Sequence, residues 1–151
     1  MQNLKTMMEN LKVKFEDSIT FENSNDGRII VLIGLNRFSE LILVLASLNF
    51  DQLVSITGID YPSEKSIVCA YHLVSTSGKK LIEVKTSTKR NEGVIPSVMN
   101  SYPNADWFER EIHEMFGLNF EGNPNMGRLL LPEDWNQGFP LRKDFKLHVG
   151  D

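Results

Sequence analysis

Apolar residues recur along this chain with two different periods, and the switches between them predict its elements. Leu4, Met7, Met8 and Leu11 fall on one helical face, which predicts a short helix over residues 2–12. Val13, Phe15, Ile19 and Phe21 then alternate with polar residues, as in a half-buried strand. Asn25-Asp26-Gly27 supplies turn residues that tolerate positive φ. The apolar run from Arg28 to Leu35 reads as a strand covered on both faces. Asn36 is placed to cap a helix whose stripe is Phe38, Leu41, Leu45 and Leu48. Leu53–Ile59 is expected to be a strand, leading into a hairpin of Ser66–Thr76 and Lys79–Thr88 across Ser77-Gly78. The fold class expected is α+β, with a layer of helices on a mixed or mostly antiparallel sheet.

The pattern changes near residue 93. Five of the six prolines and six of the ten glycines lie from there on. The chain is therefore divided into a sheet region, 1–92, and a short helix with an extended tail, 93–151, within one domain. Residues 105–116 predict that helix, with Asn104 or an Asp106/Glu109 capping box at its start and Gly117 just past its end. Trp107, Phe108, Ile112, Met115 and Phe116 fall in one arc, while Glu109, Arg110 and His113 fall outside it. Glu111 falls inside. A carboxylate on an apolar face is costly unless paired. Its partner is expected to be Arg128 or Arg142, or a cation of another chain; the alternative is that Glu111 sits at the margin and reaches solvent.

Beyond the helix, about thirty residues show neither period, an unusual length for a loop in a compact domain. They carry apolar anchors at Phe120, Leu129–Leu131, and Trp135 with Phe139 and Leu141, separated by turns at 132–134 and 136–138. Such a strap either closes the core of its own domain or docks onto a larger surface.

A chain of 151 residues fits one domain, and 41% hydrophobic with 24% charged residues is ordinary for a globular protein. A net charge of −4 gives no reason to expect nucleic acid. One cysteine, Cys69, permits no internal disulfide and cannot by itself hold an iron–sulfur cluster. No apolar run approaches the roughly 18–20 residues of a membrane span, and the N-terminus lacks the apolar core of a signal peptide. Any membrane link is then expected to go through a partner.

Candidate chemistry is thin. His113 with Glu109 could begin a metal site, but His72 and His148 lie far away in the chain and no His-Glu-x-x-His motif is present. Cys69 reads as a small core residue. Residues 122–127 are not a phosphate loop, since no Lys-Ser/Thr follows. Glu133-Asp134 reads as a solvated pair. The rival to an assembly role is a stand-alone small enzyme using Glu109, Glu111 or His113.

The second half of the chain carries longer motifs. They are Glu109-Arg110-Glu111, Met115-Phe116-Gly117, Phe120-Glu121-Gly122, the run Leu129 to Trp135 and the run Pro140 to Phe145. Together they resemble the signature of the thirty-kilodalton subunit of respiratory complex I, the NADH:quinone oxidoreductase of bacteria. The family includes the related subunits of group 4 membrane-bound nickel–iron hydrogenases. Residues 57–61, 71–75 and 95–98 also fit, so the likeness covers roughly residues 40–147. Asn123, His113-Glu114, Gly127 and Phe139 depart from the common pattern.

The resemblance implies a peripheral-arm subunit without a cofactor or active site of its own. It would sit on the cytoplasmic side of the membrane, held there by its partners. Those partners would be the large subunit with the quinone or nickel–iron site and the iron–sulfur subunits, with flavin elsewhere in some complexes. The complex would couple electron transfer to ion translocation, as a NADH dehydrogenase, a coenzyme F420 dehydrogenase or a hydrogenase. The residues assigned to docking are Glu109, Arg110, Glu111, Arg128, Trp135, Leu141, Arg142, Lys143 and Asp144. Three consequences are expected. The purified chain should be redox-silent. Deleting 118–151 should spare the sheet but stop assembly. Glu111→Gln should be far more damaging than Glu109→Gln.

Overall fold

The computed structural model describes residues 4–24 and 28–147. The N-terminal helix α1, Leu4–Phe15, runs further than its periodicity suggested. Phe15 lies four residues after Leu11, which lies four after Met7, so it extends the helical stripe and is fully buried. Val13 points outward at 79% exposure. The strand expected over Val13–Phe21 is thus corrected: Phe15 fits both periods, and packing chose the helix. A short 3₁₀ turn at Glu16–Ser18 follows, then strand β1 at Ile19–Asn23. The expected Asn25-Asp26-Gly27 turn lies outside the described residues.

Strand β2 is Ile29–Ile33, and helix α2, Leu35–Ser47, follows at once with Gly34 as its N-cap. Asn36 is inside the helix and does not cap it. Phe38, Leu41, Ile42 and Leu45 are the buried stripe of α2. Strands β3 (Gln52–Tyr61), β4 (Ser66–Ser75) and β5 (Lys80–Lys89) form an antiparallel meander. The β4–β5 loop has four residues, because Ser75 pairs with Lys80. Lys79, with φ 49°, takes the left-handed position there, and Ser75 Oγ accepts from Gly78 N–H at 3.2 Å.

The sheet order is β1-β2-β5-β4-β3, with β2 parallel to β5 and the other pairs antiparallel. Register puts Val31, Val84 and Tyr71 in line, and Ile29, Ile82 and Leu73 beside them. The three α-helices among the described residues cover this face. Phe15 and Leu11 of α1 join its core, and the Phe38 ring of α2 lies 4.9 Å from that of Tyr71. The third helix, α3 (Ala105–Phe116), crosses β3 where Gly58 leaves room for Phe116. A Cβ at Gly58 would stand 2.6 Å from that ring.

The opposite face carries Leu32, Lys85, Glu83, His72 and Ser55, and no described helix covers it. The expectation that β2 is covered on both faces is therefore corrected: Ile30 and Leu32 are only partly buried. A small parallel pair, β6 (Val94–Pro96) with β7 (Asn119–Glu121), brackets α3. From residue 122 to 147 there is no regular structure.

Candidate docking surface

Helix α3 begins and ends where its residues predict. Gly117 takes φ 75° and its N–H bonds His113 O at 2.9 Å. Asn104 has helical torsions and makes no side-chain cap; its amide donates to Leu53 O and ties the helix to β3. The faces of α3 are not those expected from its apolar arc. Ala105, Glu109, Ile112, Glu114 and Phe116 are buried, whereas Trp107 is 60% exposed and Glu111 is exposed.

Glu109 is fully buried. Its carboxylate accepts from Val98 N–H, the Ser97 hydroxyl and the Asn123 amide, each at 2.8 Å. Burial pushes its pKa up, and these three donors only partly offset that. Glu109 thereby joins the β6 end, α3 and the start of the strap in one cage. Asn123, one of the departures noted in the sequence, is a wall of that cage.

Glu114 does the corresponding work for the strap. Its two oxygens accept from Leu129 and Leu130 N–H at 2.7 Å, with Leu131 N–H at 3.4 Å. Burial raises its pKa, but the backbone donors outweigh that and the net shift is downward. Arg110 adds a bond to Arg128 O, and Arg128 one to Trp135 O. Trp135 closes the turn through its indole N–H to Gly138 O and stacks on Phe145.

The end of the strap is tied back by charge. Arg142 donates to Phe116 O, Asn91 Oδ1 and Arg90 O, and lies 4.6 Å over the Phe139 ring. Arg90 is held between Asp60 and Asp144, at 2.7 and 2.6 Å. Lys143 N–H adds a bond to Asp60. The Arg90 bonds hold both carboxyls below their ordinary range, and the two carboxylates raise Arg90 in turn. Phe139 covers Gly117, where a side chain could not fit. Beneath the strap is a cavity of about 590 Å³ lined by His113, Glu114, Met126, Arg128, Trp135 and Phe139.

The expected Glu111 contact to Arg128 or Arg142 does not form: both arginines donate elsewhere, and Glu111 has no partner among the described residues. The residues assigned to docking separate into three groups. Glu109 lies in the core and can influence docking only through the shape of the segments it joins. Arg110, Arg142, Lys143 and Asp144 fasten the strap to the domain, and Arg128 and Trp135 brace the strap's own turns. Glu111 and Leu141 face outward, Leu141 at 53% exposure.

Sequence reasoning missed Glu114, Asp60, Arg90 and Trp107 as parts of this surface, while Leu130 belongs to the anchor run Leu129–Leu131 already singled out. Glu114 could have been found as the carboxylate one turn before Gly117, on the flank the tail must pass. Nothing near residues 60 or 90 pointed to residue 144.

The rival chemistry does not converge. His113 Nδ1 pairs with Leu118 O at 2.7 Å, away from the buried Glu109 carboxylate, and no group of three metal-ligating side chains forms among the described residues. Cys69 is buried in the core, which pushes its thiol up to about 12. On the open sheet face Ser55 Oγ lies 3.1 Å from His72 Nδ1, and His72 Nε2 lies 3.7 Å from Glu83. The second distance is long for a hydrogen bond. Glu83 is already paired with Lys85 at 3.1 Å and Arg28 at 3.5 Å. This is an ion network across three strands.

Comparison with known proteins agrees with the motifs. Residues 19–149 match the family described as the respiratory-chain NADH dehydrogenase 30 kDa subunit. The chain is 36% identical over 143 residues to an NADH-quinone oxidoreductase subunit of Chlorobium phaeobacteroides, covering 91% of this chain and 85% of the relative. It is 33% identical over 144 residues to an F(420)H(2) dehydrogenase subunit of Methanosarcina mazei, covering 94% and 91%. Its fold matches a chain of the membrane-bound sulfane sulfur reductase, an archaeal respiratory membrane complex. That match has a TM-score of 0.84 and 25% identity, over 95% of this chain and 85% of that one.

Proposed function

The chain belongs to the 30 kDa subunit family of the respiratory-chain NADH dehydrogenase, and on that premise we propose that its strap docks it onto the large subunit of its complex. It is a peripheral subunit of a complex I-like oxidoreductase. No described helix is long and apolar enough to cross a membrane, and in this reading attachment runs through partners.

One observation carries the docking role. The strap is bound to its own domain largely through polar groups, with Met126 and Phe139 packed inward, and three of its leucines are left outward. Leu130 is 60% exposed, Leu141 53% and Leu147 58%, with Trp107 of α3 at 60%. A segment that only closed its own core would turn these residues inward, since exposing large apolar side chains forfeits burial energy. The tail folds back on the domain, and in this reading it presents a docking surface while doing so. Being held in place beforehand, it would lose little entropy on binding.

In this role the large subunit holds the quinone site, iron–sulfur subunits bring electrons to it, and this chain lies on the cytoplasmic side as an assembly element. The leading assignment is an NADH:quinone-type enzyme. The similarity to the F(420)H(2) dehydrogenase subunit and to the sulfane sulfur reductase chain favours a second one, in an archaeal-type complex with another donor or acceptor, or a nickel–iron site in a group 4 hydrogenase. The test is to purify the tagged chain from solubilised membranes and identify what accompanies it. A large quinone-site or nickel–iron subunit with iron–sulfur subunits is the expected set. Recovery of the chain alone, with oxidoreductase activity of its own, would overturn the proposal.

A further inference from the structure

The outward face of α3 is an apolar stripe interrupted by one free charge. Trp107, Glu111 and Met115 are spaced i, i+4 and i+8, so they lie in a line along the helix. Trp107 is 60% exposed, Glu111 is exposed and Met115 is half-buried. The strap extends the line, because Leu141 N–H bonds Met115 O at 3.1 Å and its side chain is 53% exposed. At the other end the Arg110 guanidinium lies 5.3 Å from the centre of the Trp107 ring and reaches on to Arg128 O, one residue from Leu129.

Glu111 has no hydrogen-bonding or ionic partner among the described residues. The nearby cations are committed: Arg110 to Trp107 and Arg128 O, Arg128 to Trp135 O, Arg142 to three acceptors. A partner that covers Trp107, Met115 and Leu141 must also cover Glu111. Burying an unpaired carboxylate costs far more than these apolar contacts return. A cation brought by the partner offsets that cost with a single group, whereas neutral donors must come in numbers, as the three around Glu109 do.

Resting on the docking role above, we propose that the stripe receives an apolar surface of the large subunit bearing one cationic side chain that pairs with Glu111. An arginine fits best, since its planar fork can take both carboxylate oxygens and it is weakly hydrated. The pair would fix the register of the docking, as a buried charge pair rejects any placement that leaves one member alone.

The test uses the whole complex, purified from solubilised membranes of cells carrying Glu111→Gln, Glu111→Lys or Leu141→Asp. The composition of the complex is read on native gels and dissociation is followed after dilution. The isolated chains are melted as a control for folding. Glu111→Gln is expected to melt like the wild type but leave the complex roughly thirtyfold faster or more. Glu111→Lys should be absent from it. Wild-type retention of Glu111→Gln would overturn the ion pair, even with Glu111→Lys lost, since charge reversal alone also repels. In that event Leu141→Asp separates the two ideas. If Leu141→Asp fails to incorporate, the docking surface stands and only the cation is wrong. If it incorporates normally, both fall.

Discussion

Three glutamates of α3 show how far residue type alone carries. Glu109, Glu111 and Glu114 were all visible as carboxylates on a predicted helix, and the arc of apolar neighbours singled out Glu111 as the buried one. The arc is real but has two sides. Ile112 and Phe116 face the sheet, Met115 lies at the margin packed partly against the core, and Trp107 faces out, and no periodicity separates an apolar residue meant for a partner from one meant for the core. For the stability of the isolated chain, burial argues for the opposite ranking of the two glutamates from the one expected. In the isolated chain Glu109→Gln should cost roughly 1–3 kcal/mol, because the Asn123 amide would meet an amide where it had a carboxylate oxygen. Glu111→Gln should change stability little. Denaturant melts of both variants decide this.

The two buried glutamates also give opposite pH dependences. Glu109 has a raised folded pKa, so its contribution is present below the unfolded pKa and is lost as pH rises through the folded one. Glu114 is lowered, so its contribution is present above the unfolded pKa and is lost as pH falls through the folded one. The deficit of Glu109→Gln relative to wild type should shrink as pH rises above the ordinary glutamate range. That of Glu114→Gln should grow as pH rises toward and through that range. Parallel pH profiles for the two variants would contradict the assignments.

At the scale of elements, the extent of α3 was legible because its start and its Gly117 stop bracket one helical run, but its buried face was not. The β3–β4–β5 meander was legible too, with the hairpin ends shifted by one residue on each side. The N-terminal strand was not, because Phe15 satisfies a period of two and a period of four alike. The strap was legible as a strap but not in its fastening, which depends on residue pairs as distant as Asp60 with Lys143. Burial within 118–125 argues against the expectation that deleting 118–151 leaves the sheet largely folded. Leu118 is fully buried, Phe120 is buried and Asn123 holds Glu109. A chain ending at Gly117 should unfold or aggregate. One ending at Asn125 should keep its sheet and its cooperative melt while failing to enter the complex. Circular dichroism and native gels of the two truncations read out both halves. At Gly117, alanine would meet the Phe139 ring and a left-handed backbone together, so Gly117→Ala should loosen the strap by more than about 1 kcal/mol. Protease cleavage within 126–140 should rise with it.

The whole molecule is a two-layer sandwich with helices on one face of a five-stranded sheet. Its class was readable from alternating periods, but its strand order was not. Pairing β5 with β2 in parallel needs a crossover through α2 and a meander that returns to the middle of the sheet, and both are set by tertiary packing. The same geometry packs α3 on the edge strand β3, whereas Leu43 is 60% exposed on a different helix, α2. These two exposed leucine-bearing regions make the docking role testable in the assembled complex. A photo-crosslinking side chain placed at Leu130, and separately at Leu43, would be activated in solubilised membranes and its products identified. The account predicts a crosslink from residue 130 to the large subunit and none to it from residue 43. A crosslink from residue 43 to the large subunit, with residue 130 left free, would contradict it.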